Sequence, residues 1–214
     1  MSILFVAELG SLWCGNPALG YRYIKEAAAC GVDVVKIQLG HDPTDPIRGA
    51  SDKHAEFLRD ACREFGVKFA ASFFSLQGLE TGRRVGVSYY KIPSQKTYSD
   101  PALVDEVLKD GKPTWVSHGM KSGWQALDGK FFLPHVSNVW CVSSYPTYAA
   151  QLSKMPRIFA REPMWGIAYE GYSEHVHGIE SCLLAIARGA TMVESQFTLN
   201  PTDQTIRDHA FAKT

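Results

Sequence analysis

The chain has no net charge, no long apolar run and no paired-cysteine signature. Its 22 lysines and arginines balance 22 aspartates and glutamates, so no overall field favours nucleic acid or a membrane surface. No apolar stretch approaches the roughly 18 residues of a membrane span. The opening MSILFVAELG has neither a basic segment nor a long apolar one, and no signal peptide is expected. Five cysteines, Cys14, Cys30, Cys62, Cys141 and Cys182, form no CxxC spacing. Such a set reads as reduced thiols in a cytoplasmic protein. Linkers, low-complexity segments and blocks of one charge are also missing, so residues 1–214 read as one domain.

What is present is alternation. The 214 residues are 45% hydrophobic, enough for one sizeable core. Short apolar runs at 3–9, 32–39, 67–74, 87–94, 112–120, 139–146, 164–173 and 190–199 read as strands. Between them, 18–31, 53–66, 76–86, 100–111 and 177–189 read as helices, several closed by glycine. The stretches 122–130 and 151–162 are weakly helical, and the tail beyond 199 has room for one short helix. Eight β–α units in a chain of this length predict an α/β fold, a parallel (β/α)8 TIM barrel whose last helix is truncated. A doubly wound open sheet is the rival.

Active sites of such barrels lie at the carboxyl ends of the strands. Here those ends carry Glu8, Lys36, Gln38, Ser72, Lys91, Ser94, Ser117, His118, Ser143, Tyr145, Ser173, Glu174, His175, Glu194 and Gln196. One lysine in apolar sequence is as well explained by snorkelling to the surface. Two on neighbouring strands, with serines around the same rim, favour a phosphate or carboxylate site. His41 follows the second strand within reach of that rim, although GHDPTDP reads first as a turn-rich loop. His54 and His135 read as surface residues. Trp13, Trp115, Trp140 and Trp165 read as core or interface residues.

In register along the chain stand AELG (7–10), AAACGVDVVKIQ (27–38), FGVKFAASFFS (65–75), YYKIPS (89–94), GKPTWVSHGM (111–120), CVSSYPT (141–147), GYSEH (171–175) and GATMVESQFTL (189–199). Together they resemble the sialic acid (N-acetylneuraminate) synthase family over nearly the whole chain. That family condenses phosphoenolpyruvate with an N-acetylated amino sugar to give a nine-carbon keto acid. The resemblance implies that Lys36, Lys91, Ser94, Ser117 and Ser173 hold the phosphate and carboxylate of phosphoenolpyruvate, with Ser72 and Ser143 at matching positions. Glu8 matches the acid that handles the attacking water, and Lys36, Lys91 and His175 join it as catalytic candidates. Gln38, Tyr145 and Glu174 would face the sugar. His175 matches one of two metal histidines, for a divalent cation, Mn2+ or Mg2+, that polarises the aldehyde. Asp208 and His209 match an aspartate–histidine pair after the last strand. The family also implies a homodimer.

The departures from that pattern concern the acceptor half. Leu12 and Trp13 replace an asparagine–histidine pair. Gln196 replaces the second metal histidine, and Lys96 replaces a sugar-contacting glutamate. A divergent member without the carboxyl-terminal antifreeze-like domain is therefore expected. It would use phosphoenolpyruvate with a changed or smaller aldehyde, an anionic one pairing with Lys96 being one option, and it would hold its metal weakly through His175 and Gln196, with His118 as a further candidate ligand. The alternatives are hydrolysis of phosphoenolpyruvate, a non-catalytic anion-binding barrel, a Schiff-base aldolase using Lys36 or Lys91, and a fragment completed by another chain.

Overall fold

In the computed structural model, which describes residues 2–42, 44–120, 129–160 and 168–214, eight parallel strands close into a barrel in sequence order. They are β1 (Leu4–Gly10), β2 (Val34–Leu39), β3 (Lys68–Phe73), β4 (Tyr89–Ile92), β5 (Thr114–Ser117), β6 (Val136–Cys141), β7 (Gly171–Glu174) and β8 (Met192–Gln196). Helices α1 (Pro17–Ala29), α2 (Asp52–Glu64), α3 (Leu76–Val85), α4 (Ser94–Ser99), α5 (Pro101–Lys109) and α6 (Glu180–Ala187) lie outside it. Shorter 3-10 turns cover Gly129–Phe132, Ala149–Lys154 and Arg207–Ala210. The open-sheet rival is excluded by the β1–β8 pairing.

The helix starts follow local chemistry. Asn16 caps α1 by accepting from the amides of Ala18 and Leu19, with Pro17 at the first helical position, where its missing N–H costs nothing. Ser51 and Ser75 cap α2 and α3 in the same way. Trp13 is buried against this half of the molecule, and its indole donates to the Gly10 carbonyl. Trp140 packs on Tyr172 outside β6 and β7.

The barrel interior is set by the period of two along each strand. Val6, Val34, Ala70, Trp115, Val139 and Met192 form one buried apolar cluster, with Tyr89 packed against it and stacked on Trp115 at 4.8 Å. A side chain at Gly171 would run into Met192 and Val139 of the same cluster. This plug fills the floor with one position from each strand. The next inward position on every strand, two residues on, belongs to the site.

Several expected elements shift. The segment 87–94 ends as a strand at Ile92 and turns helical at Ser94, so a separate helix, α4, precedes α5. The strand expected at 139–146 runs from Val136 to Cys141 instead. The weak helix at 151–162 is a 3-10 turn over Ala149–Lys154. Residues 121–128 and 161–167, which hold most of the helix expected at 122–130, the start of the strand expected at 164–173, and Trp165, lie outside the described residues. His54 and His135 are half-buried rather than on the surface. His54 meets Trp13 edge-on at 5.9 Å, and His135 shares its ring Nε2 with the Leu108 carbonyl at 3.1 Å. The five cysteines are free thiols, and no helix among the described residues is long and apolar enough to cross a membrane.

Gly78 sets the contact between α3 and the mouth of the barrel. A Cβ there would lie 2.6 Å from the Leu39 carbonyl group and from the Gly40 nitrogen, and backbone cannot yield as a side chain would. Gly78→Ala is therefore expected to lower stability by about 1–3 kcal/mol, the usual cost of overpacking. A urea midpoint equal to wild type would show that α3 is free to move outward.

Candidate active site

Two residues above the apolar plug, each of the eight strands contributes one buried side chain. They are Glu8, Lys36, Ser72, Lys91, Ser117, Cys141, Ser173 and Glu194. All eight line one cavity of about 1270 Å³ that opens at the carboxyl ends of the strands. Gln38, Ser143, His175 and Gln196, a further two residues along, line it nearer the mouth.

Four of these side chains are charged and arranged as a neutral quartet. The Lys36 ammonium pairs with Glu8, donates to the Ser72 hydroxyl at 2.8 Å and lies 3.6 Å from Glu194 Oε2. Lys91 pairs with Glu194 and lies 3.4 Å from Ser173 Oγ, whose own proton goes to Glu194 Oε1 at 2.7 Å. Glu194 thus serves both lysines. Burial alone would raise its carboxyl, but Lys36 and Lys91 outweigh that and hold it at about 2. Burial pulls Lys36 down to about 7, with Glu194 opposing and Lys91 reinforcing the fall.

The serines divide into partnered and free. Ser94 and Ser143 share a hydrogen bond of 2.6 Å. Ser117 Oγ is buried in the cavity wall and has no hydrogen-bond partner. Its backbone carbonyl accepts from Thr97 at 2.8 Å, which ties α4 to β5. Such an orphan is costly unless something fills it. The mouth of the cavity is aromatic. His175 donates from Nδ1 to the Val142 carbonyl at 2.8 Å, an acceptor only, so Nε2 carries the lone pair. Burial lowers this imidazole to about 4, and Tyr145 lies against it at 4.3 Å. Gln38 reaches Glu8 at 3.5 Å through its amide nitrogen and meets His41 at 2.9 Å through its oxygen. His41 does reach the cavity, its ring tilted against Phe74 at 4.2 Å.

Three expected positions are not at the cavity. Glu174 is one residue beyond Ser173, and strand alternation turns it outward. It is fully buried and bonds Ser195, Lys213 and the Val176 amide. His118 is turned out for the same reason, next to Ser117. Its Nε2 donates to Asn138 at 2.8 Å, because Asn138 gives its amide protons to the Phe131 carbonyl. Nδ1 then accepts from Tyr98 at 2.7 Å, and burial lowers the ring to about 4. Lys96 pairs with Asp100 one turn along, at 3.2 Å. Its neighbour Gln95 lines the cavity, but Lys96 does not. Of the late pair, Asp208 lines the cavity, whereas His209 is buried against Thr198 at 2.7 Å.

Glu194 was readable only as one polar residue of the rim. Its sequence signal is an acid inside the apolar run ATMVESQF, two residues before Gln196. Arg48 and Arg207 also line the mouth and carry no such signal, because both lie in loops. No group of three or more histidine, cysteine, aspartate or glutamate side chains among the described residues is arranged to hold a metal. The donors present are the His175 lone pair and the Gln196 amide, a sparse set that suits a largely hydrated Mg2+ or Mn2+ better than Zn2+.

A model of the NeuB family matches residues 48–214. Human N-acetylneuraminate-9-phosphate synthase is 26% identical over 232 residues, covering 92% of this chain and 62% of that protein. An uncharacterized protein of Methanocaldococcus jannaschii is 27% identical, with 91% and 62% covered. Helicobacter pylori pseudaminic acid synthase is 30% identical over 164 residues, with 74% and 47% covered. The chain thus spans 62% of the length of the first two. The N-acetylneuraminic acid (sialic acid) synthetase of Leptospira borgpetersenii, solved with citrate, superimposes with a TM-score of 0.82 at 23% identity, over all of this chain and 79% of that one.

Removing Glu194 leaves two buried ammonium groups with one carboxylate. Glu194→Gln is expected to cost roughly 3–5 kcal/mol, as breaking buried pairs does. Because Lys36 is lowered in the fold from 10.5 to about 7, it loses its proton in the folded state first, and between those values stability rises with pH. At pH 6 the folded wild type keeps Lys36 charged, and the substitution removes one of its partners, whereas at pH 9 Lys36 is already neutral, so the deficit of the variant should be larger at pH 6 than at pH 9 in urea unfolding. A deficit independent of pH would mean that Lys36 is not the group that adjusts.

Proposed function

The chain belongs to the NeuB family, and on that premise we propose that its barrel binds phosphoenolpyruvate and condenses it with a sugar-like aldehyde. The observation that carries this reading is the unpartnered Ser117 hydroxyl, buried in the wall of the same cavity that two ammonium groups and five further serines line. Lys36, Lys91, Ser94, Ser117 and Ser173 supply donors for a phosphate and a carboxylate, and Ser72 and Ser143 complete the wall. An incoming anion competes with Glu8 and Glu194 for the lysines. It is bound where an ammonium exchanges a carboxylate partner for the anion.

In the proposed reaction, C3 of the enol forms a bond to the aldehyde carbon, and the aldehyde oxygen takes a proton. Water adds to C2 of the resulting cation, and loss of inorganic phosphate leaves the keto acid. Glu8, released from Lys36 by the anion, would take the proton of that water. Gln38 and Tyr145 line the aldehyde side. His175 Nε2 and the Gln196 amide would hold Mg2+ or Mn2+, and a cation bound there would polarise the aldehyde carbonyl. The neutral imidazole keeps its lone pair available down to about pH 4.

A second reading has one observation in its favour. Lys36, lowered to about 7 by burial, has a free amine fraction at neutral pH, as Schiff-base chemistry requires. Against it, Glu8, Ser72 and Glu194 surround its three protons. Borohydride trapping with a keto acid distinguishes the two.

Calorimetric titration tests the main reading. Phosphoenolpyruvate should bind, and Lys91→Ala should weaken it about tenfold or more, since charge-assisted contacts are worth roughly 1.5–3 kcal/mol. Ser117→Ala should cost about fivefold, the value of one neutral hydrogen bond near 1 kcal/mol. Unchanged dissociation constants would remove the anion from this ring.

A separate expectation concerns the metal. The purified protein should carry little of it, and phosphate release from phosphoenolpyruvate plus aldehyde should need added Mg2+ or Mn2+ and fall in His175→Ala. Stoichiometric metal surviving EDTA dialysis would point to ligands other than these two.

A further inference from the structure

Glu174 and Lys213 are left out of the chemistry above, yet they form a closed polar cluster. The Lys213 ammonium donates to Glu174 at 2.9 Å, to the Val176 carbonyl at 2.6 Å and to the Phe211 carbonyl at 2.9 Å. All three of its protons are used. Glu174, with no exposed surface, also accepts from Ser195 at 2.5 Å. The main chain at Lys213 extends the barrel wall. Its amide donates to the Gln196 carbonyl at 2.7 Å, and its carbonyl accepts from Thr198 at 2.7 Å, a parallel bridge beside Phe197.

The residues before Lys213 cross the mouth of the cavity. Phe211 meets His175 edge-on at 6.2 Å and Tyr145 at 6.3 Å. The Arg207 guanidinium lies 4.6 Å over the Tyr145 ring, and Thr205, Arg207 and Asp208 line the cavity. His175 and Tyr145 are thus held from one side by the barrel and from the other by residues 205–211. A strap so placed needs an anchor, and a lysine fully bonded to a buried carboxylate is a strong one.

We propose that residues 205–213 form a strap over the second-substrate side of the cavity, and that Lys213, latched on Glu174, is the positioning residue that holds Phe211 and Arg207 against His175 and Tyr145. Lys213 touches neither substrate nor the lysine ring and acts through the strap. The assignment of that side to the aldehyde rests on the function proposed above; the latch itself does not.

Lys213→Met tests it through readouts that separate the two. Amides of 205–211 should exchange about tenfold faster, the scale of one lost charge-assisted contact. Diethylpyrocarbonate should modify His175, read by peptide mass, several times faster than in wild type. Phosphoenolpyruvate should bind as before, while KM for the aldehyde rises more than kcat falls. Lys213→Arg, which keeps the cation, should restore all of these towards wild type. If Lys213→Met does not unfold cooperatively, Lys213→Gln takes its place with the same expectations. Unchanged exchange and labelling in a folded variant overturns the latch. Failure of the wild type to bind phosphoenolpyruvate overturns the proposed reaction instead and leaves the exchange and labelling arms decisive. Loss of phosphoenolpyruvate binding in Lys213→Met would mean that the cluster supports the whole ring, and would overturn a role confined to one side.

Discussion

Two lysines share the carboxylate of Glu194 inside the barrel, and the rest of the site is organised around that arrangement. Taking a charge out of water costs several kcal/mol even after relaxation, so four such groups persist together only as a neutral set of paired charges. Lys36 has Glu8, Ser72 and Glu194; Lys91 has Glu194 and Ser173. Each partner comes from a different strand, so closure of the barrel is what assembles the quartet. The apolar plug, from Val6 to Met192, lies directly beneath it.

Under the proposed function, this arrangement is also how a barrel with no net charge would serve an anion. The lysines are neither free nor exposed; they are held in place by carboxylates that, in the proposed reaction, an anionic ligand would replace. Ser117 adds a hydroxyl already dehydrated and without a partner, so a ligand oxygen there restores a hydrogen bond instead of displacing one. The mouth differs in character. Aromatic faces and a neutral imidazole line it, and residues 205–213 close one side.

The barrel was legible in the sequence because alternation of strand and helix is a local signal repeated eight times. Most of the ring was legible too, since carboxyl-end polar residues in apolar strands stand out. What failed was parity. Glu174 and His118 each sit one residue from a true ring member, and nothing local says which of two adjacent polar residues points inward until the neighbouring strands fix the register. Lys96 failed for a different reason. Pro93 reads as the end of a strand, but not as the start of α4, and the turn of that helix sends Lys96 to Asp100. Glu194 was visible but undistinguished, because its importance lies in Lys91, 103 residues away, and Lys36. The strap was illegible, since its anchor depends on a lysine meeting a buried glutamate from another unit of the fold.

A crystal structure of the protein soaked in phosphoenolpyruvate near neutral pH tests the central claim most directly. The account predicts the phosphate and carboxylate within hydrogen-bond distance of Lys36, Lys91 and Ser117, with Glu8 moved off the Lys36 ammonium. A ligand bound elsewhere, with the quartet intact and Ser117 still unpartnered, would contradict it.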